Sequence, residues 1–301
     1  MYKIGIDLGG SKIEGILLGP NNEEIERKRI ATEQEKGYAH ILARIQFLYE
    51  DLKCLTNGSQ HTLGLGTPGS ISLKTGLLKN SNTLCMNGKP FATDLENLLK
   101  KDIAFENDAN CFALAEAIMG AGEGCKTVFG VIMGTGCGGG IVVNQELQTG
   151  IQNIAGEWGH MSIDPQGPVC YCQKKGCVET FISGGGLERR YLAEFKTKKK
   201  LPEILVDYRA GDKNAEALMK DFFFRFGIAL SNLINILDPD VVVLGGGVSN
   251  VDELYTLGIE EVKKYIFNDE CRTKIVKNIL GDSAGVIGAA LIGKEQRVAN
   301  V

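Results

Sequence analysis

Between residues 159 and 177 the stretch GHMSIDPQGPVCYCQKKGC carries His160, Cys170, Cys172 and Cys177, spaced H-x9-C-x-C-x4-C. One imidazole and three thiolates suit tetrahedral Zn2+, and four protein ligands leave no open position for a reactive water. Such a site is structural. The C-x-C pair is tighter than common zinc-finger spacing, so on spacing alone three unrelated buried cysteines near a histidine remain the alternative.

Two further stretches suit anions. In KIGIDLGGSKIEGILL a turn of Gly9, Gly10, Ser11 and Lys12 separates two apolar strands. Backbone N–H groups can approach a phosphate closely there, with a hydroxyl and a positive charge beside them. The turn is not a Walker A loop, and a strand follows it where a dinucleotide fingerprint needs a helix. Alone it is ordinary turn chemistry. A second copy, TVFGVIMGTGCGGGIVV, carries Gly134, Thr135, Gly136, Cys137 and Gly138. One hairpin from each half could hold the two ends of a polyphosphate. Gly245, Gly246 and Gly247 end the strong strand Val241–Leu244, where open α/β sheets place ligands; a nucleotide base and ribose would fit, as would a plain strand-to-helix turn.

In FENDANCFALAEA, Asn107 and Asp108 precede an apolar helical run. Asp108 reads either as an N-cap or as a general base for phosphoryl transfer to an alcohol, with Mg2+ on the phosphates. Asp7 could hold that metal through water.

The elements that must position these residues alternate between strand and helix. Tyr38 to Leu55 has helical apolar spacing (Ile41, Leu42, Ile45, Leu48, Leu52), and HTLGLGTPGS reads as a strand ending in a turn. Asn110 to Met119 and Ala215 to Leu237 read as helices, the second broken by Asp238-Pro239, and Ala284 to Ile292 as a small-faced helix. The repeated strand–turn–strand pattern implies two related α/β halves with mixed sheets.

At 301 residues and 44% apolar composition the chain can bury a large core. The net charge of −4, with both signs mixed throughout, offers no footprint for nucleic acid or an anionic membrane. Neither a secretory signal nor a run of 18 apolar residues is present, so a cytoplasmic location is expected. In that reducing compartment nine cysteines are not a disulfide framework; Cys54, Cys85, Cys111, Cys125, Cys137 and Cys271 read as small buried apolar residues.

Taken in order, IGIDLGGSK, GTPGSI, ENDANCFALAEA, MGTGCGGGI, GEWGH, CYCQKKGCVETFISG, LDPDVVVLGGGVSN and GDSAGVIGAA resemble the ROK family of repressors and sugar kinases, essentially end to end. That family is a branch of the actin-like ATPase and hexokinase superfamily. The resemblance implies a two-lobed, ribonuclease H-like α/β fold with duplicated domains and an interlobe cleft. Residues 1–115 plus about 284–301 would form the smaller lobe, and 116–283 the larger one with a zinc loop at 160–177.

By the same resemblance the chain is an ATP-dependent hexose kinase. Asp108 matches the catalytic base, and Asn107, Glu157, His160 and Glu179 match residues that bind sugar hydroxyls. The turns at 5 to 12, beginning with Gly5, and at 134 to 140 would bind ATP phosphates, with Mg2+ for catalysis. His160, Cys170, Cys172 and Cys177 match the zinc motif, and zinc would hold the sugar site's geometry without joining the chemistry. Cys137 departs from the family's smaller residue and places a thiol near the phosphates.

GTPGSISLKTGLLKNSNT followed by MNGKPF most resembles bacterial fructokinases that also accept mannose, with N-acetylglucosamine kinase next and glucokinase behind it. Gly69, Asn80 and Asn82 are candidates for further sugar contacts. The non-enzyme alternative is a sugar-sensing ROK regulator. Regulators carry a helix-turn-helix ahead of the sugar domain, for which no room is expected here because the first phosphate turn lies within twelve residues of Met1. A homodimer is expected by analogy.

Overall fold

A computed structural model describes residues 1–81 and 83–293. The chain divides into two compact units, one of Met1–Ala115 joined by the segment from Asp282 onward, the other Glu116–Gly281. The second crossing therefore lies two residues before the boundary expected at 284.

In the first unit β1 (Tyr2–Leu8), β2 (Lys12–Leu18) and β3 (Glu24–Ala31) form an antiparallel meander, and β4 (His61–Thr67) lies parallel to β1. β5 (Ser70–Ile71) and β6 (Leu78–Lys79) make a separate two-stranded ribbon. β7 (Ala104–Asn107) completes a five-stranded sheet of order β3-β2-β1-β4-β7. The predicted first helix forms as α1 (Tyr38–Cys54), burying Ile41, Ile45, Leu48 and Leu52 on one face. Each such side chain contributes about 1.5–3 kcal/mol. α2 (Phe91–Leu99) adds Phe91 and Leu95 to the same core.

α3 (Asp108–Met119) follows β7 directly. The second unit repeats the plan of the first: β8 (Thr127–Met133), β9 (Cys137–Val143) and β10 (Glu146–Gln148) are antiparallel, and β11 (Val241–Gly245) and β12 (Lys274–Lys277) extend the sheet in parallel. Its order, β10-β9-β8-β11-β12, matches the first sheet strand for strand. This is the duplicated α/β fold of the actin-like ATPase and hexokinase superfamily.

Between β10 and β11 come α4 (Val178–Ile182), α5 (Gly184–Phe195), α6 (Leu201–Arg209) and α7 (Lys213–Leu237). α7 begins where the Asp212 carboxylate accepts from the N–H groups of Asn214 and Ala215, and it ends at Asp238, whose left-handed φ of 46° precedes Pro239. Phe222 and Phe226 of α7 are fully buried in the unit's core, and α8 (Leu257–Tyr265) packs along α7.

α9 (Ala284–Ile292) returns to the first sheet. Its small residues let backbone meet backbone: a Cβ on Gly5 would lie 2.4 Å from Ala290 N and Val286 O, and one on Gly64 1.9 Å from the Ala289 carbonyl. Gly5, expected among the phosphate-binding residues, is thus accounted for by helix packing.

Candidate active site and metal cluster

The first turn closes with the Gly9 N–H donating to the Lys12 carbonyl (2.9 Å). Thr32, fully buried, braces it from the side: its N–H donates to the Ser11 carbonyl (3.0 Å) and its hydroxyl to the Gly9 carbonyl (2.7 Å). Ser11 is exposed and Gly10 partly so, leaving turn and hydroxyl accessible. Asp7 lies opposite Glu14 in the strand register. Glu14 is buried, takes a hydrogen bond from the Ser283 hydroxyl (2.9 Å), and pairs with Arg29 (2.8 Å) and Lys12 (3.6 Å).

Burial, then the negative charges of Asp108 and Glu14, push the Asp7 carboxyl up to about 7, with Lys12 pulling the other way. A carboxylate so short of counter-charge suits a divalent cation.

Asp108 opens α3 with its side chain exposed. Its Oδ1 accepts from the Ala109 N–H (2.9 Å), and so does the Asn107 side-chain oxygen (2.8 Å). Asn107 thus shares the capping role that was the alternative for Asp108. The Asn107 amide donates to the Gly69 carbonyl (3.4 Å), joining two predicted sugar contacts. Gly69 has a φ of 86° and sits against the backbone of Lys79 to Ser81, so glycine is required there. Asn80, also at positive φ, lines an open depression of about 450 Å³ on the β5–β6 ribbon. Asn82 lies outside the described residues.

Three glycine runs converge on the second turn. The Gly134 N–H donates to the Gly136 carbonyl (2.9 Å), and the Gly134 carbonyl accepts from Gly184 N–H at the head of α5 (2.8 Å). A Cβ on Gly185 would lie 2.4 Å from the Thr135 carbonyl, and one on Gly246 2.5 Å from the Met133 carbonyl. Gly245 pairs with Ile132, whereas Gly247 faces open space. Thr135 is exposed. Cys137 is not: burial, then the Glu179 charge, pushes its thiol well up, which makes it an inert thiol. Of the six scattered cysteines expected to be buried, Cys111 and Cys137 are; Cys85, Cys125 and Cys271 are partly exposed, and Cys54 is exposed because it ends α1 on the solvent side.

The metal candidates come together. One ligand atom from each of His160, Cys170, Cys172 and Cys177 lies within 4.8 Å of all the others, with Cys172 and Cys177 sulfurs 3.6 Å apart and Cys170 Sγ 3.7 Å from His160 Nδ1. Ligands about 2.3 Å from a tetrahedral zinc stand roughly 3.8 Å from one another, so the donor set fits that ion. His160 Nε2 meets the Tyr171 hydroxyl at 2.8 Å, a partner that fixes the ring and engages the nitrogen left over for a sugar. Glu157 is exposed at the start of the same turn.

Glu179, on α4, reaches both features. Its Oε2 accepts from the Cys137 N–H (3.0 Å), and its Oε1 faces the Cys170 thiol at 3.9 Å. Glu179 is 6% exposed, not the solvated charge that a lone glutamate suggests. Trp158, missed in the sequence, fastens the 157–160 turn: its indole N–H donates to the Gly138 carbonyl (3.1 Å) and its ring meets Phe129 edge-on. Its position inside GEWGH was the only signal.

The ROK family model matches residues 3–296. The chain belongs to the ROK family. It is 34% identical to an N-acetyl-D-glucosamine kinase of Yersinia pseudotuberculosis serotype IB over 96% of this chain and 97% of that protein. The N-acetyl-D-glucosamine kinase of Vibrio atlanticus is 37% identical over 96% and 98%. Among solved ROK structures, the hexokinase from Thermus thermophilus matches with a TM-score of 0.89 at 31% identity, covering 97% of this chain and 98% of that one. A Streptomyces griseus ROK glucokinase, solved with glucose and AMPPNP, matches with a TM-score of 0.76 at 25% identity, covering 97% and 99%. The protein is a ROK sugar kinase that phosphorylates a hexose. Among the described residues no helix is long and apolar enough to cross a membrane.

Proposed function

We propose that the protein transfers the γ-phosphoryl group of ATP to the 6-hydroxyl of a hexose, with Asp108 as general base. The observation that carries this reading is the pair of carboxylates in the first unit. Asp108 is exposed at a helix head, free of burial, and Asp7 behind it is held at high proton affinity partly by Asp108's charge. The first suits proton abstraction from an alcohol and the second a cation.

The acceptor's hydroxyls are assigned to Asn107, Asp108, Glu157, His160 and Glu179, His160 Nε2 exchanging the Tyr171 hydroxyl for a sugar hydroxyl, with Gly69 and Asn80 supplying further contacts. The two glycine turns are assigned to the phosphates and Gly245 to Gly247 to the nucleoside. Bound Mg2+ would neutralise phosphate charge. The residues themselves orient: Asn107 fixes the head of α3, Thr32 stiffens the first turn, and Asp108 accepts the hydroxyl proton as the phosphoryl group departs from ADP. The four ligands of the 160–177 loop would hold a structural zinc.

Fructose, with mannose as a second acceptor, is the finer reading. It rests on the 66–91 stretch, whose Gly69 carbonyl holds Asn107 next to the base. N-acetylglucosamine is the rival acceptor, favoured by the curated relatives. ADP release measured with fructose, mannose, N-acetylglucosamine and glucose decides between them: the highest kcat/KM is expected with fructose, and a preference for N-acetylglucosamine overturns the finer reading alone. No turnover with any hexose would overturn the base assignment and favour a sensor.

A further inference from the structure

We propose that Glu179 is a positioning residue for the nucleotide, because its one buried carboxylate holds the second glycine turn from a helix whose first turn is anchored at the cluster residue Cys177. The proposal rests on the reading of Gly134–Gly138 as a phosphate turn and of the His160 cluster as a metal site. It adds a second task to a side chain assigned only to the sugar.

The geometry is specific. Oε2 takes the Cys137 N–H at 3.0 Å, at the point where the turn re-enters β9, and Oε1 faces Cys170 Sγ at 3.9 Å. Gly136 is shaped to admit this approach: a Cβ there would lie 2.7 Å from Oε2. The Gly136 backbone has an ordinary φ, so the missing side chain serves the carboxylate and not a strained turn. Two residues before Glu179 stands Cys177, itself a cluster member, whose carbonyl accepts from the N–H and the hydroxyl of Thr180 (2.9 and 2.7 Å). α4 is thereby anchored to the cluster at its first turn, and Glu179 carries that placement to the phosphate turn.

The test uses the metal-loaded chain and reads ADP affinity by calorimetry, sugar affinity separately, and bound zinc per chain. A buried hydrogen bond to a charged acceptor is worth about tenfold or more in an equilibrium. Glu179→Ala is therefore expected to raise the Kd for ADP about tenfold with zinc content unchanged. Glu179→Gln keeps an oxygen acceptor within reach of the Cys137 N–H and is expected to recover most ADP affinity while leaving sugar binding weak, a split that a sugar ligand alone would not show. Gly136→Ala, which crowds the carboxylate without removing it, is expected to weaken ADP binding in the same direction, and it serves if Glu179→Ala does not fold. Withdrawing zinc from the wild type is expected to weaken ADP as well as sugar. ADP affinity within twofold of wild type in Glu179→Ala, or no recovery in Glu179→Gln, overturns the proposal. A wild-type chain that binds no ADP overturns instead the reading on which it rests.

Discussion

Asp7, at the end of β1, sits in the electric field of Asp108 at the head of α3, which together with Glu14 raises the cost of ionising Asp7 beyond what burial alone imposes. The ordinary value of 3.8 becomes about 7 in the folded chain. The folded state therefore holds a proton that the unfolded chain releases, so Asp7's contribution to stability is full below about 3.8 and lost as the pH rises through about 7.

Replacing Asp7 by asparagine removes that pH dependence. In magnesium-free protein the variant should gain on wild type between pH 4 and 8, reaching on the order of 1–2 kcal/mol at pH 8 after allowance for solvent screening. Urea titrations at both pH values measure the difference. A constant offset would mean that Asp7 titrates normally.

Asp108→Asn should lose turnover by roughly 10²–10⁴-fold while sugar affinity stays within a few-fold, since the amide still occupies the helix head but takes no proton. Coupled ADP release gives the first quantity and calorimetry the second. Turnover near wild type would refute the base assignment.

Zinc content should be one ion per chain, and Cys172→Ser should abolish it. The four ligand atoms already stand near tetrahedral spacing, so removing the ion leaves a half-buried cluster of thiols, with the loop kept in place by hydrogen bonds, the Asp164–Arg225 ion pair (3.0 Å) and the packing of Met161 and Ile163. Metal analysis and a lowered melting temperature on chelation check this. A fully stable metal-free chain would speak against a structural ion.

Glu116 should matter far more than its place on an apolar helix suggests. It is fully buried, and its carboxylate accepts the N–H groups of Ala121 (2.9 Å), Leu280 (3.0 Å) and Ile279 (3.4 Å). It thereby pins together the two stretches at which the chain passes between units, 115/116 and 281/282. Glu116→Ala should cost about 2–4 kcal/mol by stranding those donors, and denaturant unfolding measures it. A loss below about 1 kcal/mol would show that water replaces the carboxylate.

The hairpins, α1, α7 and α9 were legible because their signals are local: apolar spacing, paired glycines and the Asp238-Pro239 stop each act within a few residues. The metal cluster was legible for the same reason, as ligand chemistry restricts both residue type and spacing. Glu179 was not legible from the residues alone, since nothing near it in sequence shows that Cys137 waits to donate to it. Thr32 and Glu116 escaped for a related reason: each satisfies backbone groups distant along the chain. The packing role of Gly5 was not legible because a glycine next to a turn and a glycine under a helix look the same until the helix is placed.

α9 lies C-terminal to every residue of the second unit, yet it covers β1 and β4, among the earliest strands made. The ribosome thus delivers the contiguous Glu116–Gly281 unit before the helix that covers Gly5 and Gly64 of the first sheet. Closing the first sheet under its last helix therefore waits on the synthesis of the whole intervening segment, whichever half packs first.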